Sequence, residues 1–554
     1  MKKTRRIAAM VAAMALAATM MVPAAMMTAS AADITITGVG SEEHTFEVYQ
    51  IMTGTYDSTE GTFSQLKWAN GIATYGGTSV TAGTDVPDSV LTTLTTSGFD
   101  ARTLVTGSTP LITLGTKLKN VKSASGSAAI TGLTDGYYVI KDVTDLENEN
   151  DANSAWIIDI AGPASKNIAI KNAKPTVDKQ VQDEAEDAEV GADAQGYGES
   201  ADHAINESFN FKLTASIPAD SDLTSYSSYA IKFNDTMSNG VTYESVSSVK
   251  VKSGSNETVV LPYSATPETG VSSADGYKLD VATGGGSFTL QIDDIKALLP
   301  ASTTWGTDAI TVEVVYAAHL NENAVIDPQS RTNGTSADTN NNKVFLNYSN
   351  NPDATGAGAT QPGGKTPDDY VWVFTYEVDN TKFKINDTAG NELEGATFDL
   401  YTGSDSSVTA NKVSLIYDST LGAYRPIKTG ETATVMTSSA VAATKGQFNI
   451  VGLDAGVYTL HEVSAPSGYN TANDITFTIT ATHAEQSADP TKVDLSVTGI
   501  SSAVENKVVD TKNSTLPSTG GMGTMLFLGI GGAVAAGAGI TLISKKRSKD
   551  EDEQ

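Results

Sequence analysis

The residues of this sequence that could do chemistry are polar side chains on strand faces that otherwise read as apolar. In "GVYTLHEVSAPSGY", from Gly456 to Tyr469, alternation puts Tyr458, Leu460 and Glu462 on one side and Val457, Thr459 and Val463 on the other. If the Tyr458 face is the core, Glu462 is a buried acid that must be paired or protonated. The same reading places Val177, Lys179 and Val181 of "KPTVDKQV" together, and Ile231, Phe233 and Asp235 of "YAIKFNDTMSNGVTY". In "YEVDNTKFKIND", Tyr376, Val378, Lys382 and Lys384 share a face. Phe345 and Asn347 do so in "NKVFLNYSNNP", and Val504, Asn506 and Val508 in "SSAVENKVVD". Taken singly, each residue has an ordinary explanation. A lysine on an apolar face usually carries its charge out along a snorkelling stem, and an asparagine near a strand end usually forms a turn.

The elements that must position these groups are strands. Short runs rich in Val, Ile, Thr, Tyr and Phe, such as "DITITGV", "FNFKLTASI", "ITVEVVYA", "YVWVFTYEV" and "DITFTITAT", alternate with Gly, Asp, Asn and Ser clusters. The best helix candidates are only "DSVLTTLTTSG" and "DDIKALLP". At 554 residues the chain is too long for one core. Composition shifts divide it into a first domain over 33–172, a second over 173–355, a linker over 356–367 and a third domain over 368–508. "QDEAEDAEVGADAQGYGESAD" is an acidic, solvated excursion near the start of the second. "GLTDGYYVIKDV" at Gly132 and "GLDAGVYTLHEV" at Gly452 share G-L-x-x-G-x-Y, a later acid (Asp142 or Glu462) and a following Val, so the first and third domains are expected to share a sandwich topology.

The two ends are targeting segments. Lys2, Lys3, Arg5 and Arg6 precede an apolar run and small residues at Ala29-Ser30-Ala31, which makes residues 1–32 a secretory signal peptide. Residues 509–520 form a stalk, residues 521–543 an uncharged membrane span, and residues 544–554 a charged cytoplasmic tail led by Lys545, Lys546 and Arg547. A net charge of −29, from 36 Lys plus Arg against 65 Asp plus Glu, argues against nucleic acid. There is no cysteine, so disulfides and thiolate metal sites are excluded. The five histidines, His44, His203, His319, His461 and His483, match no metal-ligand spacing, and neither GxSxG nor a P-loop is present. The sequence therefore calls for no cofactor, no metal and no turnover enzyme.

"LPSTG", from Leu516 to Gly520, followed by the span and basic residues, resembles the sorting signal of Gram-positive surface proteins. The resemblance makes Leu516, Pro517, Thr519 and Gly520 the sortase motif, with cleavage between Thr519 and Gly520. "TLHEVSAPSGY" resembles the E-box of major pilins and collagen-adhesin B-type repeats, and "GNELEGATFDLY" resembles the opening of the same domain. In that family a buried acid promotes an amide between a core lysine and a core asparagine, with loss of ammonia. Apolar surroundings favour a neutral, nucleophilic amine and a neutral acid able to shuttle protons. The implied assignments are Lys179, Asp235 and Asn347 in the second domain and Lys382, Glu462 and Asn506 in the third. Asn350 and Asn351 are alternative acceptors, and Lys384 is an alternative lysine. No lysine lies on the opening strand of the first domain, so no such bond is expected there.

"IAIKNAKPTVDKQV" resembles the junction motif that carries the polymerisation lysine of pilins. It keeps Lys171 and Asn172 but lacks the Tyr and Pro, and Lys174 and Lys166 compete. The resemblance as a whole implies an all-β chain of tandem immunoglobulin-like, collagen-adhesin-type β-sandwiches between a signal peptide and a transmembrane helix. The implied function is a shaft subunit of a sortase-assembled pilus. Its partners would be identical subunits joined head to tail, pilus and housekeeping sortases, peptidoglycan and minor pilins. The alternative is a monomeric wall-anchored adhesin.

Overall fold

The computed structural model describes residues 32–512 apart from several stretches, of which the longer are 97–103, 146–151, 185–191, 263–275, 327–339, 355–360, 385–391 and 482–503. The signal peptide, the sorting signal with Leu516, Pro517, Thr519 and Gly520, and the junction residue Lys171 lie outside the described residues. The regular secondary structure of the described residues is almost wholly strand, grouped into three successive β units.

In the second unit two sheets face each other. One runs in the order Tyr197–Gly198, Thr176–Gln182, Ser208–Ile217, Ile310–Leu320, Val241–Ser253, Asn256–Val259. The other contains Ser200–Asp202, Asp369–Phe374, Asn340–Tyr348, Ile231–Met237 and Ser287–Ile292 as successive neighbours. Strict alternation builds the core between them. Phe209, Phe211, Leu213, Ala215 and Ile217 point inward from one strand, and Val312, Val314, Tyr316 and Ala318 from its neighbour.

In the third unit the strand Tyr376–Lys384 lies between Ile450–Leu453 and Val504–Lys512, pairing in parallel with the latter. The facing sheet carries Thr397–Thr402, Gly456–Ser464 and Ile475–Ile479. Tyr458, Leu460 and Glu462 are buried while Val457 and Val463 are exposed, so the Glu462 face is the core face. In the first unit the shared motif recurs with the same local geometry. Gly132 and Gly452 both have positive φ, and the motif tyrosines Tyr138 and Tyr458 donate to the backbone carbonyls of Thr134 and Asp454, four residues earlier in each case.

Two expectations from the sequence are corrected here. "DSVLTTLTTSG" does give the helix Asp88–Thr95, but "DDIKALLP" forms turns. Between a strand and Pro300 there is no room for a stable helix, and the Asp294 side chain instead accepts from the Tyr229 and Lys296 N–H groups. The boundary after residue 355 also moves. Gly364–Lys365 and Asp369–Phe374 pair with Asn340–Tyr348 and complete the second unit's sheet. The change of unit falls at Thr375, and the strand before it serves both sides. Val371 and Val373 enter the second core, and Trp372 and Phe374 enter the third.

Candidate cross-linking sites

Lys179 lies on an inward-facing position of Thr176–Gln182 and is 1 % exposed. Its Nζ donates to Asp235 Oδ2 at 2.5 Å and to the Tyr316 hydroxyl at 2.9 Å. Tyr316 in turn donates to the same Asp235 oxygen at 2.9 Å, and its oxygen accepts from Asn342 Nδ2 at 2.6 Å. Asn342 is fully buried and also neighbours the Asp235 carboxyl. Lysine and tyrosine come from one sheet, aspartate and asparagine from the other, so the cluster bridges the sandwich. Phe211 and Tyr316 flank the amine, with ring centroids 5.0 and 5.3 Å away. Loss of water pushes the Lys179 ammonium down from the usual lysine range and the Asp235 carboxyl up, each only partly opposed by the other's charge. Both shifts favour the uncharged forms, an amine with a lone pair and an acid with a proton to give.

In the third unit Lys382 is fully buried, and its Nζ donates to Glu462 Oε2 at 2.7 Å and to Asp510 Oδ1. The Ala472 N–H also donates to Glu462 Oε2, at 2.6 Å. Asp510 is fully buried, and burial raises its carboxyl to about 6, with Glu462 adding to the rise and Lys382 opposing it. Lys382 and Asp510 stand on adjacent parallel strands, and Glu462 reaches them from the facing sheet.

The lysines and acids singled out in the sequence, Lys179, Asp235, Lys382 and Glu462, are thus brought together, but the asparagines Asn347 and Asn506 are not among their hydrogen-bond partners. Asn347 is on the other face of its strand. It accepts from Asn234 Nδ2 and donates to the Gly364 carbonyl. The core face of Asn340–Tyr348 carries Asn342, Val344, Leu346 and Tyr348, so pairing Asn347 with Phe345 chose the wrong phase of the alternation. The apolar triplet Val344, Leu346, Tyr348 was the signal for the right one. Asn350 and Asn351 lie beyond the strand end. Asn506 does face inward, but the parallel register sets it opposite Asn380, to whose Oδ1 it donates at 2.9 Å. Asp510, two alternations further on, is what reaches Lys382. Alternation alone could not choose between them, because Asn506, Val508 and Asp510 share one face. Lys384 has no described side chain. In the first unit Asp142, at the position of Glu462 in the repeated motif, meets His44 Nδ1 at 2.8 Å rather than a lysine, and accepts from Thr144 and Ser154.

Residues 380–493 match a prealbumin-like fold domain, SpaA, and residues 508–550 match the LPXTG cell wall anchor motif. No curated protein matches the chain. Among solved structures, it is similar to the T6 backbone pilin of serotype M6 Streptococcus pyogenes, at 16% identity over 88% of this chain and 100% of that one, TM-score 0.48. It is similar to the full-length major pilin SpaD of Corynebacterium diphtheriae, at 15% identity over 87% and 98%, TM-score 0.41. The RrgB pilus protein of Streptococcus pneumoniae gives 15% identity over 89% and 99%, TM-score 0.42. The chain is therefore an all-β, cell-wall-anchored surface protein with a prealbumin-like domain next to its anchor.

Removing one member of a buried charge-forming pair strands the other in the core. Asp235→Ala is expected to cost the second unit about 3–5 kcal/mol, read as a lower urea midpoint. An unchanged midpoint would contradict the burial described for Lys179.

Proposed function

We propose that this protein is the shaft subunit of a sortase-assembled pilus, polymerised head to tail and stapled internally by two amide bonds. The observation that carries this reading is that two tandem units of a wall-anchored, cysteine-free chain each enclose a lysine amine in direct contact with a carboxyl. In the second unit the Lys179 amine attacks Asn342 Cγ. Asp235 gives a proton to the amide oxygen and takes one from the nitrogen. Collapse expels ammonia and leaves a secondary amide. In the third unit the Lys382 amine attacks Asp510 Cγ, Glu462 moves the protons, and the leaving molecule is water. Each acid acts once, in cis.

For assembly, a sortase cleaves after Thr519 and passes its carbonyl to a lysine amine on the next subunit. Lys171 precedes the second unit and is the proposed acceptor, while a housekeeping sortase transfers the last subunit to peptidoglycan. A monomeric adhesin would share the anchor and the staples but not the polymer.

The intact mass of the mature protein is expected to fall short of its sequence mass by about 35 Da, about 17 for ammonia and about 18 for water. Asp510→Ala should remove the water-sized part alone, Asn506→Ala neither, and Asp510→Asn should give a product of wild-type mass. A bond that survives Asp510→Ala would sink the third-unit assignment.

Lys171→Ala should abolish the high-mass ladder in anti-protein blots of wall extracts while the monomer stays folded and wall-attached. A ladder unchanged in that variant moves the acceptor to Lys174 or Lys166, and no ladder in the wild type with its pilus sortase present favours the adhesin.

A further inference from the structure

The junction between the second and third units holds a cluster that neither the cross-links nor the polymer uses. Ser200–Asp202 pairs in parallel with Asp369–Phe374, and the chain then runs along the third unit. The His203 N–H donates to the Phe374 carbonyl and the Ile205 N–H to the Gly452 carbonyl. The approach is close. A Cβ at Gly452, where φ is +76°, would come within 2.5 Å of the Ile205 side chain. This contact brings His203 and Glu207, from one unit, up to Asp454 in the turn before the Glu462 strand of the other. One imidazole nitrogen and one oxygen of each carboxylate lie within 4.8 Å of one another.

Three features make this a donor set rather than a chance meeting of charges. The imidazole is held in place, stacked flat on Phe209 with centroids 4.1 Å apart and planes 5° apart. Its tautomer is set as well. Nε2 lies 2.8 Å from the Gln182 carbonyl, which can only accept, so Nε2 carries the hydrogen and Nδ1 the lone pair. The turn holding Asp454 is fixed by the Tyr458 hydroxyl, which donates to the Asp454 carbonyl, and by the Ala455 N–H, which donates to Asp202 Oδ2.

We propose that His203, Glu207 and Asp454 form a divalent-metal site of the zinc or manganese class, which clamps the second unit to the third. One imidazole with two carboxylates suits these ions better than magnesium or calcium, which prefer all-oxygen shells. Donors about 2.0–2.2 Å from a tetrahedral ion stand about 3.4 Å apart, so small side-chain rotations close the present spacing, and three protein donors leave a fourth position for water. The sequence hid the site because its ligands come from two units and only the His203–Glu207 pair is close in the chain.

The test is titration of the chelator-treated mature protein with zinc, manganese, calcium and magnesium chlorides, followed by calorimetry and thermal melting. One equivalent of zinc or manganese should bind and raise the melting temperature. His203→Ala and the near-isosteric Asp454→Asn and Glu207→Gln should each weaken binding by at least about tenfold. His319→Ala, at the separate exposed His319–Glu244 pair, should not. Far-UV circular dichroism without metal checks that each variant is folded, and Glu207→Gln, at the least buried of the three, keeps the test open if another fails. No stoichiometric binding of zinc or manganese, equal affinity in the variants, or binding of calcium as tight as zinc would overturn the proposal and leave an ion pair.

Discussion

The constraint on which the structure turns is the burial of a lysine amine in each of two β-sandwiches. Lys179 and Lys382 are among the largest fully buried side chains of the described residues. An ammonium taken out of water costs several kcal/mol even after relaxation, and a carboxylate partner repays that only with near-ideal geometry. The second unit shows the tension. Dehydration pulls Lys179 and Asp235 toward their neutral forms while their mutual attraction pulls the other way. Condensation to an amide ends the conflict, because the product carries no charge and needs only the ordinary hydrogen bonds of a peptide group. On this account the cost of the buried pair is what drives the chemistry.

The position of the two clusters has a mechanical meaning. Lys179 is on the first strand of its unit and Asn342 on the third from last, and Lys382 and Asp510 are on the first and last strands of theirs. Force along the chain enters each unit through its lysine strand; it leaves the third through Val504–Lys512 and the second through Asp369–Phe374, the neighbour of the Asn342 strand. The proposed amide in each cluster would carry load past the intervening hydrogen bonds, and closing a loop of more than a hundred residues would stabilise the folded state by about 5 kcal/mol on the chain-entropy view. An amide also resists reduction, which suits a chain with no cysteine. Asp369–Phe374 continues the same logic between units. By feeding alternate side chains into both cores, it makes the joint a packed interface rather than a linker.

Much of this was legible in the sequence wherever one residue decided the matter. Alternation put Lys179, Asp235 and Glu462 on faces with apolar neighbours, whereas Lys382, between Asn380 and Lys384 on its face, was singled out by the resemblance, with Lys384 kept as an alternative. The all-β class followed from the same pattern. The side chains that meet the lysine–acid pairs, and that we propose as acceptors, were harder for two different reasons. The run "NNNKVFLNY" has apolar residues in both phases, so a shift of one residue exchanged Asn342 for Asn347. In "VENKVVDTK" the phase was right, but the choice between Asn506 and Asp510 depends on how far the last strand slides along its parallel partner. Register is a tertiary property, set by what the facing sheet offers. The shared strand at 369–374 was misassigned for a similar reason, since a strand that is apolar on both faces does not announce which core owns it.

The most direct test of the account is an electron-density map of the mature protein at atomic resolution. Continuous density should join Lys179 Nζ to Asn342 Cγ and Lys382 Nζ to Asp510 Cγ at about 1.33 Å, the length of an amide C–N bond. Two lysines standing as separate side chains at hydrogen-bond distance, or a link running from Lys382 to Asn506, would contradict it.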